Sequence, residues 1–196
     1  VISVENWNKT YSKYPITVED KGWIYGVWYC GTAYQKVTLY GQYPRGFVER
    51  ALALFPGIPH DRILHCPSGT IKGPGMTVDL HVDEVRCPKV QAPADALPFP
   101  DNSYSLVLSD PPYSAADSKK YGCKPFPMRG FMREAKRVLE PGGYLCVLDT
   151  KYPSFKRGEW DLLGLIAVVT GVQRATRMFS IFRNIKAAAP DAREGR

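Results

Sequence analysis

From residue 44 onward the chain is a succession of short apolar runs, divided by prolines, glycines and charged turns, and the runs follow two periods. Behind Pro44, the residues Phe47, Val48, Ala51, Leu52 and Phe55 share one helical face, and Pro56-Gly57 stops the run. A second such face, Phe131, Ala135, Val138 and Leu139, spans residues 130–140 with Arg133, Lys136 and Arg137 opposite, and Pro141-Gly142-Gly143 ends it. The remaining runs have strand length: residues 62–66, 76–80, 90–92, 104–109, 144–148, 165–170 and 178–182. Strands alternating with helices predict an α/β, doubly wound sheet, with residues 43–186 as one domain. Residues 187–196 read as a frayed, disordered tail.

Residues 1–42 are different: aromatic and turn-rich, with Trp7, Tyr11, Tyr14, Trp23, Tyr25, Trp28, Tyr29, Tyr34 and Tyr40. Alternation over residues 23–29 and the β-prone residues 35–40 predict a hairpin around Cys30-Gly31-Thr32. Lys9, Lys13, Lys21 and Lys36 interleave with these rings. The segment is either an arm packed on the domain or a base-stacking surface.

Charge sharpens the picture because it is uneven. Residues 1–110 hold 10 Lys and Arg against 11 Asp and Glu; residues 111–196 hold 16 against 8, so the whole net charge of +7 arises in the second part. A basic half favours a polyanionic partner. No apolar run approaches the length of a membrane-spanning helix, the longest being residues 162–169. Five cysteines, odd in number and never in C-x-x-C spacing, argue for reduced thiols in a cytoplasmic compartment. Neither they nor His60, His65 and His81 form a metal-ligand pattern, and no metal is assigned.

The most informative residues follow the strand at 104–109: Asp110, Pro111, Pro112 and Tyr113. An exocyclic amine on a nucleobase is a poor nucleophile, because its lone pair is delocalised into the ring. Asp110 and the Pro111 carbonyl can accept the two amine hydrogens and hold the lone pair toward an electrophile. Consecutive prolines stiffen the loop, and Tyr113 offers a face on which a base can stack.

Several segments in combination resemble class I S-adenosylmethionine-dependent methyltransferases of the Asp-Pro-Pro-Tyr type, similar to DNA N6-adenine and N4-cytosine amino-methyltransferases. They are Asp79 closing its strand, Ala94-Asp95-Ala96-Leu97-Pro98-Phe99, residues 110–113, and Arg137-Val138-Leu139-Glu140-Pro141-Gly142-Gly143. The resemblance covers roughly residues 40–185 and implies a Rossmann-like, seven-stranded sheet with S-adenosylmethionine as cofactor. It places Tyr43 and Pro44 at the cofactor's methionine end, Ser68 and Gly69 at its carboxylate, and Asp79 on the ribose hydroxyls, with Asp83 as rival. Asp95 would accept from the adenine amine, with Ala96 and Leu97 against the ring. Asp110 would border both cofactor and substrate. His65 is either a cofactor contact or a packing residue at a strand end. The glycine loop is the looser Ser-Gly version rather than G-x-G.

The implied reaction is methyl transfer to adenine or cytosine in DNA, with the target base flipped onto Tyr113. Only residues 114–129 are available as a substrate loop, with no separate recognition region. Lys119, Lys120, Lys124, Arg129, Lys156, Arg157 and Arg174 are candidate nucleic-acid contacts, within basic segments that include residues 151–157 and 174–177. Recognition is then short-sequence, lax, or supplied by a partner subunit or homodimer. Two alternatives stand beside this reading: an RNA base methyltransferase, and a non-catalytic nucleic-acid-binding subunit with the same fold.

Overall fold

The computed structural model describes residues 1–13, 16–18, 22–31, 42–120, 122–171 and 174–185. The expected strand at residues 35–40 and the expected tail at 187–196 lie outside these residues. The elements run α1 (Val4–Thr10), β1 (Thr17–Val18), β2 (Ile24–Tyr29), α2 (Phe47–Ala53), β3 (Ile63–His65), β4 (Met76–Asp79), β5 (Val90–Gln91) and β6 (Tyr104–Ser109). They continue with α3 (Ala115–Lys120), α4 (Met128–Val138), β7 (Leu139–Asp149), β8 (Trp160–Val169) and β9 (Arg177–Asn184).

The nine strands among the described residues join one sheet in the order β1-β2-β8-β9-β7-β6-β3-β4-β5. Strands β3 to β7 are mutually parallel, and β9 enters antiparallel between β7 and β8. The chain moves outward from β3 through β4 to β5, then returns to place β6 on the other side of β3. Strand order therefore reverses between β3 and β6, and a crevice opens beyond their carboxyl ends.

Alternate side chains of the central strands point to opposite faces, and both faces are buried. On one, Leu106, Leu108, Cys146, Leu148, Phe179 and Ile181 pack with Trp7, Trp28 and Phe47. On the other, Val107, Leu145, Val147 and Phe182 pack with Phe131, Ala135 and Val138 of α4. This explains why residues 104–109 and 144–148 read as apolar runs rather than as alternating strands.

Two expectations are corrected. A doubly wound sheet leads one to expect helices between its parallel strands, yet β3–β4, β4–β5 and β5–β6 are joined by connections without an α-helix. These connections are rich in Pro and Gly (Pro67, Gly69, Gly73, Pro74, Gly75, Pro88, Pro93, Pro98, Pro100), which break helices. The resemblance also implies seven strands, whereas β1 and β2 extend the sheet to nine.

Strand β2 pairs in parallel with β8, from Ile24 against Gly164 to Tyr29 against Val169; the other strand of the expected hairpin lies outside the described residues. Helix α1 then folds over it. Ser3 caps α1 by accepting from the Asn6 N–H at 3.2 Å. Trp7 stacks on Trp28 with ring centroids 5.3 Å apart and donates to the Arg50 carbonyl at 2.9 Å. The docking of β2 depends on one missing side chain: a Cβ at Gly164 would lie 2.4 Å from the Ile24 carbonyl oxygen. Gly164→Ala is therefore expected to part β2 from β8 and to cost about 1–3 kcal/mol, the range for overpacked sites. Denaturant unfolding measures the loss, and limited proteolysis should cut within residues 1–31 first. Unchanged stability and protection would refute the docking.

Candidate active site

At the carboxyl ends of β3, β4 and β6 lies a cavity of about 500 Å³, walled by Gly69, Asp79, Ala92, Pro93, Ala94, Asp95, Asp110 and Pro112 among others. Asp79 ends β4 and is buried. Its Oδ2 accepts from the Gly69 N–H at 2.9 Å and its Oδ1 from the His81 N–H at 3.1 Å. The carboxylate thus pins the Ser68-Gly69 loop, and each oxygen retains a lone pair for a further donor. Gly69 has φ of 55°, a left-handed conformation that glycine adopts without strain. Asp83, the rival to Asp79, is committed elsewhere: it accepts from the Val85 and Arg86 N–H groups and pairs with the Arg86 guanidinium at 2.7 Å. The Arg86 backbone N–H is the first cause that lowers its carboxyl to about 2.

Asp95 reaches the cavity wall because α4 passes close behind it; a Cβ on Gly130 would sit 2.5 Å from the Asp95 Cβ. Ala96 and Leu97 are not on that wall. Leu97 is held in the core beneath α4, where its N–H donates to Glu134 Oε2 at 2.9 Å and its carbonyl accepts from Arg137 at 2.8 Å. Leu97, expected against a cofactor ring, is thus held in the core, and the cavity wall on this side is formed by Ala92, Pro93 and Ala94.

Tyr43, Pro44, His65 and Ser68 lie behind the cavity rather than on its wall, all four buried. Tyr43 stacks on Phe47, with centroids 5.4 Å apart, and meets the His65 ring edge-on. Burial raises the Tyr43 phenol well above its ordinary range, with Asp110 as the next cause. His65 bonds the Pro74 carbonyl through Nε2 at 2.9 Å, and burial lowers it to about 4, so the ring is neutral at physiological pH. A neutral ring donating from Nε2 leaves Nδ1 as an acceptor. That atom, the Tyr43 hydroxyl, Ser68 Oγ and Ser109 Oγ are buried without a hydrogen-bond partner. These orphaned groups cluster behind the cavity, around the ends of β3 and β6.

Asp110 and Pro112 border the cavity, and Tyr113 turns away from it. The Tyr113 hydroxyl donates to Asp110 Oδ1 in a short hydrogen bond. Protein packed around the Asp110 carboxyl pushes it up to about 7; Arg177 and the Tyr113 hydroxyl pull it down, and Asp149 at the end of β7 pushes it further up. Arg177, which sequence reasoning gave no role at the centre, places its guanidinium over the Tyr113 ring, 5.1 Å from the centroid.

Beyond Tyr113 a second cavity of about 920 Å³ shares Pro112, Pro125 and Phe126 with the first. Its walls combine Arg129, Arg133, Lys136, Lys151 and Lys156 with Tyr113, Tyr152, Phe155 and Trp160; the acids are Asp149 and Glu159. Of the expected nucleic-acid contacts, Arg129 and Lys156 line this groove and Lys124 lines the first cavity. Lys119, Lys120, Arg157 and Arg174 are exposed and line neither, Lys120 pairing with Asp117 at 3.2 Å. Lys151, from the basic segment 151–157, lines the groove too, whereas Arg133 and the aromatics of residues 152–160 were missed. Only the packing of residues 151–160 against α4 gathers them.

The donor set fits S-adenosylmethionine. Asp79 offers acceptors for ribose hydroxyls, residues 92–94 an apolar wall for an adenine ring, Asp95 an acceptor for its amine, and the Ser68-Gly69 loop close backbone approach. Residues 77–147 match a family model described as a methyltransferase domain. Among curated proteins, the chain is 32% identical over 106 residues to the "Probable phthiotriol/phenolphthiotriol dimycocerosates methyltransferase 2" of Mycobacterium ulcerans, covering 54% of this chain and 37% of that protein. It is 38% identical over 63 residues to the "Uncharacterized protein YafE" of Escherichia coli, covering 32% and 26%. The chain thus spans well under half the length of either relative. TrmN from Thermus thermophilus matches with a TM-score of 0.45 and 18% identity, over 69% of this chain and 47% of that one. The domain match spans β4 to β7 but not β3, and together with the donor set it supports S-adenosylmethionine as the cofactor.

Proposed function

We propose that the protein transfers a methyl group to an exocyclic amine of a nucleobase, adenine or cytosine in DNA being the preferred targets. One observation carries this reading. Asp110, Pro112 and Tyr113 stand where the first cavity meets a groove of cations and aromatic rings, with Pro111 buried between them. Such a groove suits an anionic backbone whose bases stack.

S-adenosylmethionine, when bound, supplies an electrophilic methyl group. The chain's own residues prepare the acceptor. Tyr113 occupies one oxygen of Asp110, so the other takes an amine hydrogen while the Pro111 carbonyl takes the second. Loss of conjugation between the amine and the ring is then favoured, and the nitrogen lone pair becomes available. Two prolines fix the spacing of both acceptors, so the acceleration comes from orientation and electrostatics. No strong base is required, because the amine turns acidic only as the new bond forms.

A second reading is favoured by the acidity of Asp110. A carboxyl raised to about 7 can take the proton of a hydroxyl, and the curated relative named for phthiotriol is a methyltransferase of a different substrate class. RNA bases and a non-catalytic binding role remain alternatives to the DNA reading.

Removing the acceptor tests the mechanism. Asp110→Ala should lower transfer by at least about 10²-fold while cofactor affinity, read by calorimetry, stays within a few-fold; equal loss of both would contradict the assigned role. Transfer also follows the charge of Asp110. Below about pH 7 the protonated carboxyl donates instead of accepting, so the rate should rise with pH through that midpoint, and a flat profile from pH 5.5 to 8.5 would contradict it. Finally, Arg129→Ala combined with Lys151→Ala should weaken binding of a labelled single-stranded oligonucleotide. It should also reduce the slope of log affinity against log salt by about 1–2. An unaltered slope would take the groove out of nucleic-acid contact.

A further inference from the structure

Arg177 opens β9, the antiparallel strand between β7 and β8, and so stands at the edge where the carboxyl ends of the parallel strands lie. As part of the basic segment 174–177 it was expected to face phosphates. It instead turns inward. Its guanidinium carbon stands 5.1 Å from the centre of the Tyr113 ring, and it lines neither cavity, whereas Tyr113 lines the groove. The cation therefore packs on a ring that also lines the groove, and the hydroxyl at the tip of that ring donates to Asp110.

We propose that Arg177 is a positioning residue for methyl transfer: by backing Tyr113 it holds the phenol on Asp110 and so fixes the acceptor carboxylate between cofactor and substrate. This rests on the reading of Asp110 as the acceptor. A flat guanidinium suits the task because it stacks on an aromatic face while keeping its charge directed at a neighbouring anion. A lysine supplies the charge without the plane. Tyr113 also lines the groove, so the ring that orients Asp110 is the ring against which a base would stack.

Four titratable or charged groups bear on Asp110 or face it across the site. Arg177 from β9 and the Tyr113 hydroxyl favour its ionised form, and Asp149 from β7 opposes it. Tyr43, before α2, interacts with the Asp110 charge through its buried phenol. Removing Arg177 takes away the one cation in this set, so the carboxyl should hold its proton to higher pH.

The test uses the full chain, labelled with ¹³C at aspartate carboxyls, with the Asp110 resonance assigned by Asp110→Asn. Its titration midpoint is followed in the native protein, Arg177→Gln, Arg177→Lys and Tyr113→Phe. The expected result is a rise of about one pH unit in Arg177→Gln, corresponding to about tenfold in the proton equilibrium, with most of the rise reversed in Arg177→Lys. Tyr113→Phe should raise it as well. The Tyr113 ring resonances should shift in both Arg177 variants, because lysine does not restore the stack. The pH profile of transfer should move with the midpoint while cofactor affinity stays unchanged. An unmoved midpoint in Arg177→Gln, with Tyr113 resonances also unmoved, would overturn the proposal whatever happens to transfer. A moved midpoint in a protein that methylates no nucleobase would uphold the clamp and sink only the nucleobase reading.

Discussion

A carboxylate enclosed by protein must find compensation or give up its charge, and the site is organised around one such group, Asp110. It stands where strand order reverses, at the end of β6, in the wall of the first cavity. Its surroundings leave it balanced: packing and Asp149 favour the acid, Arg177 and Tyr113 favour the anion. A group so balanced near neutrality can accept hydrogen bonds from a weak donor without being locked into an ion pair. That property is what an amine acceptor requires, and it depends on residues drawn from β6, β7 and β9.

The sheet supplies those residues in register. Parallel strands β6 and β7 bring Asp110 and Asp149 to the same edge, since Ser109 pairs with Val147. Strand β9 runs the other way, so its first residue, Arg177, arrives where its neighbours end. Beneath this edge both faces are packed, by α1 and α2 on one side and α4 on the other. Helix α4 has a second task. Through Glu134 and Arg137 it holds residues 97–101, and through its close approach at Gly130 it sets Asp95 on the cavity wall.

What could be read from sequence followed the strength of the local signal. The face Phe47, Val48, Ala51, Leu52 and Phe55 and the run 104–109 are local patterns, and α2 and β6 appear where those patterns place them. Asp110 to Tyr113 stood out for the same reason, because the four residues are contiguous. Arg177 was not, since its contact with Tyr113 is fixed by the antiparallel register of β9 and not by any local pattern. Leu97 misled in the opposite way: its place in a motif suggested a ligand contact, but Glu134 and Arg137 draw it into the core. The pairing of β2 with β8 was hidden too, because nothing near residues 24–29 shows that Gly164 leaves room for it.

The central claim is that an amine on a nucleobase is held at Asp110 for methylation, and the identity of the methylated product tests it most directly. The protein would be incubated with methyl-labelled S-adenosylmethionine and, separately, duplex DNA, single-stranded DNA and total RNA, and the products digested to nucleosides. The account predicts label in N6-methyladenine or N4-methylcytosine deoxynucleosides, absent when Asp110 is replaced by alanine. Label confined to ribonucleosides would move the same residues to an RNA substrate. No labelled nucleoside in any arm, with cofactor shown to bind, would contradict the claim.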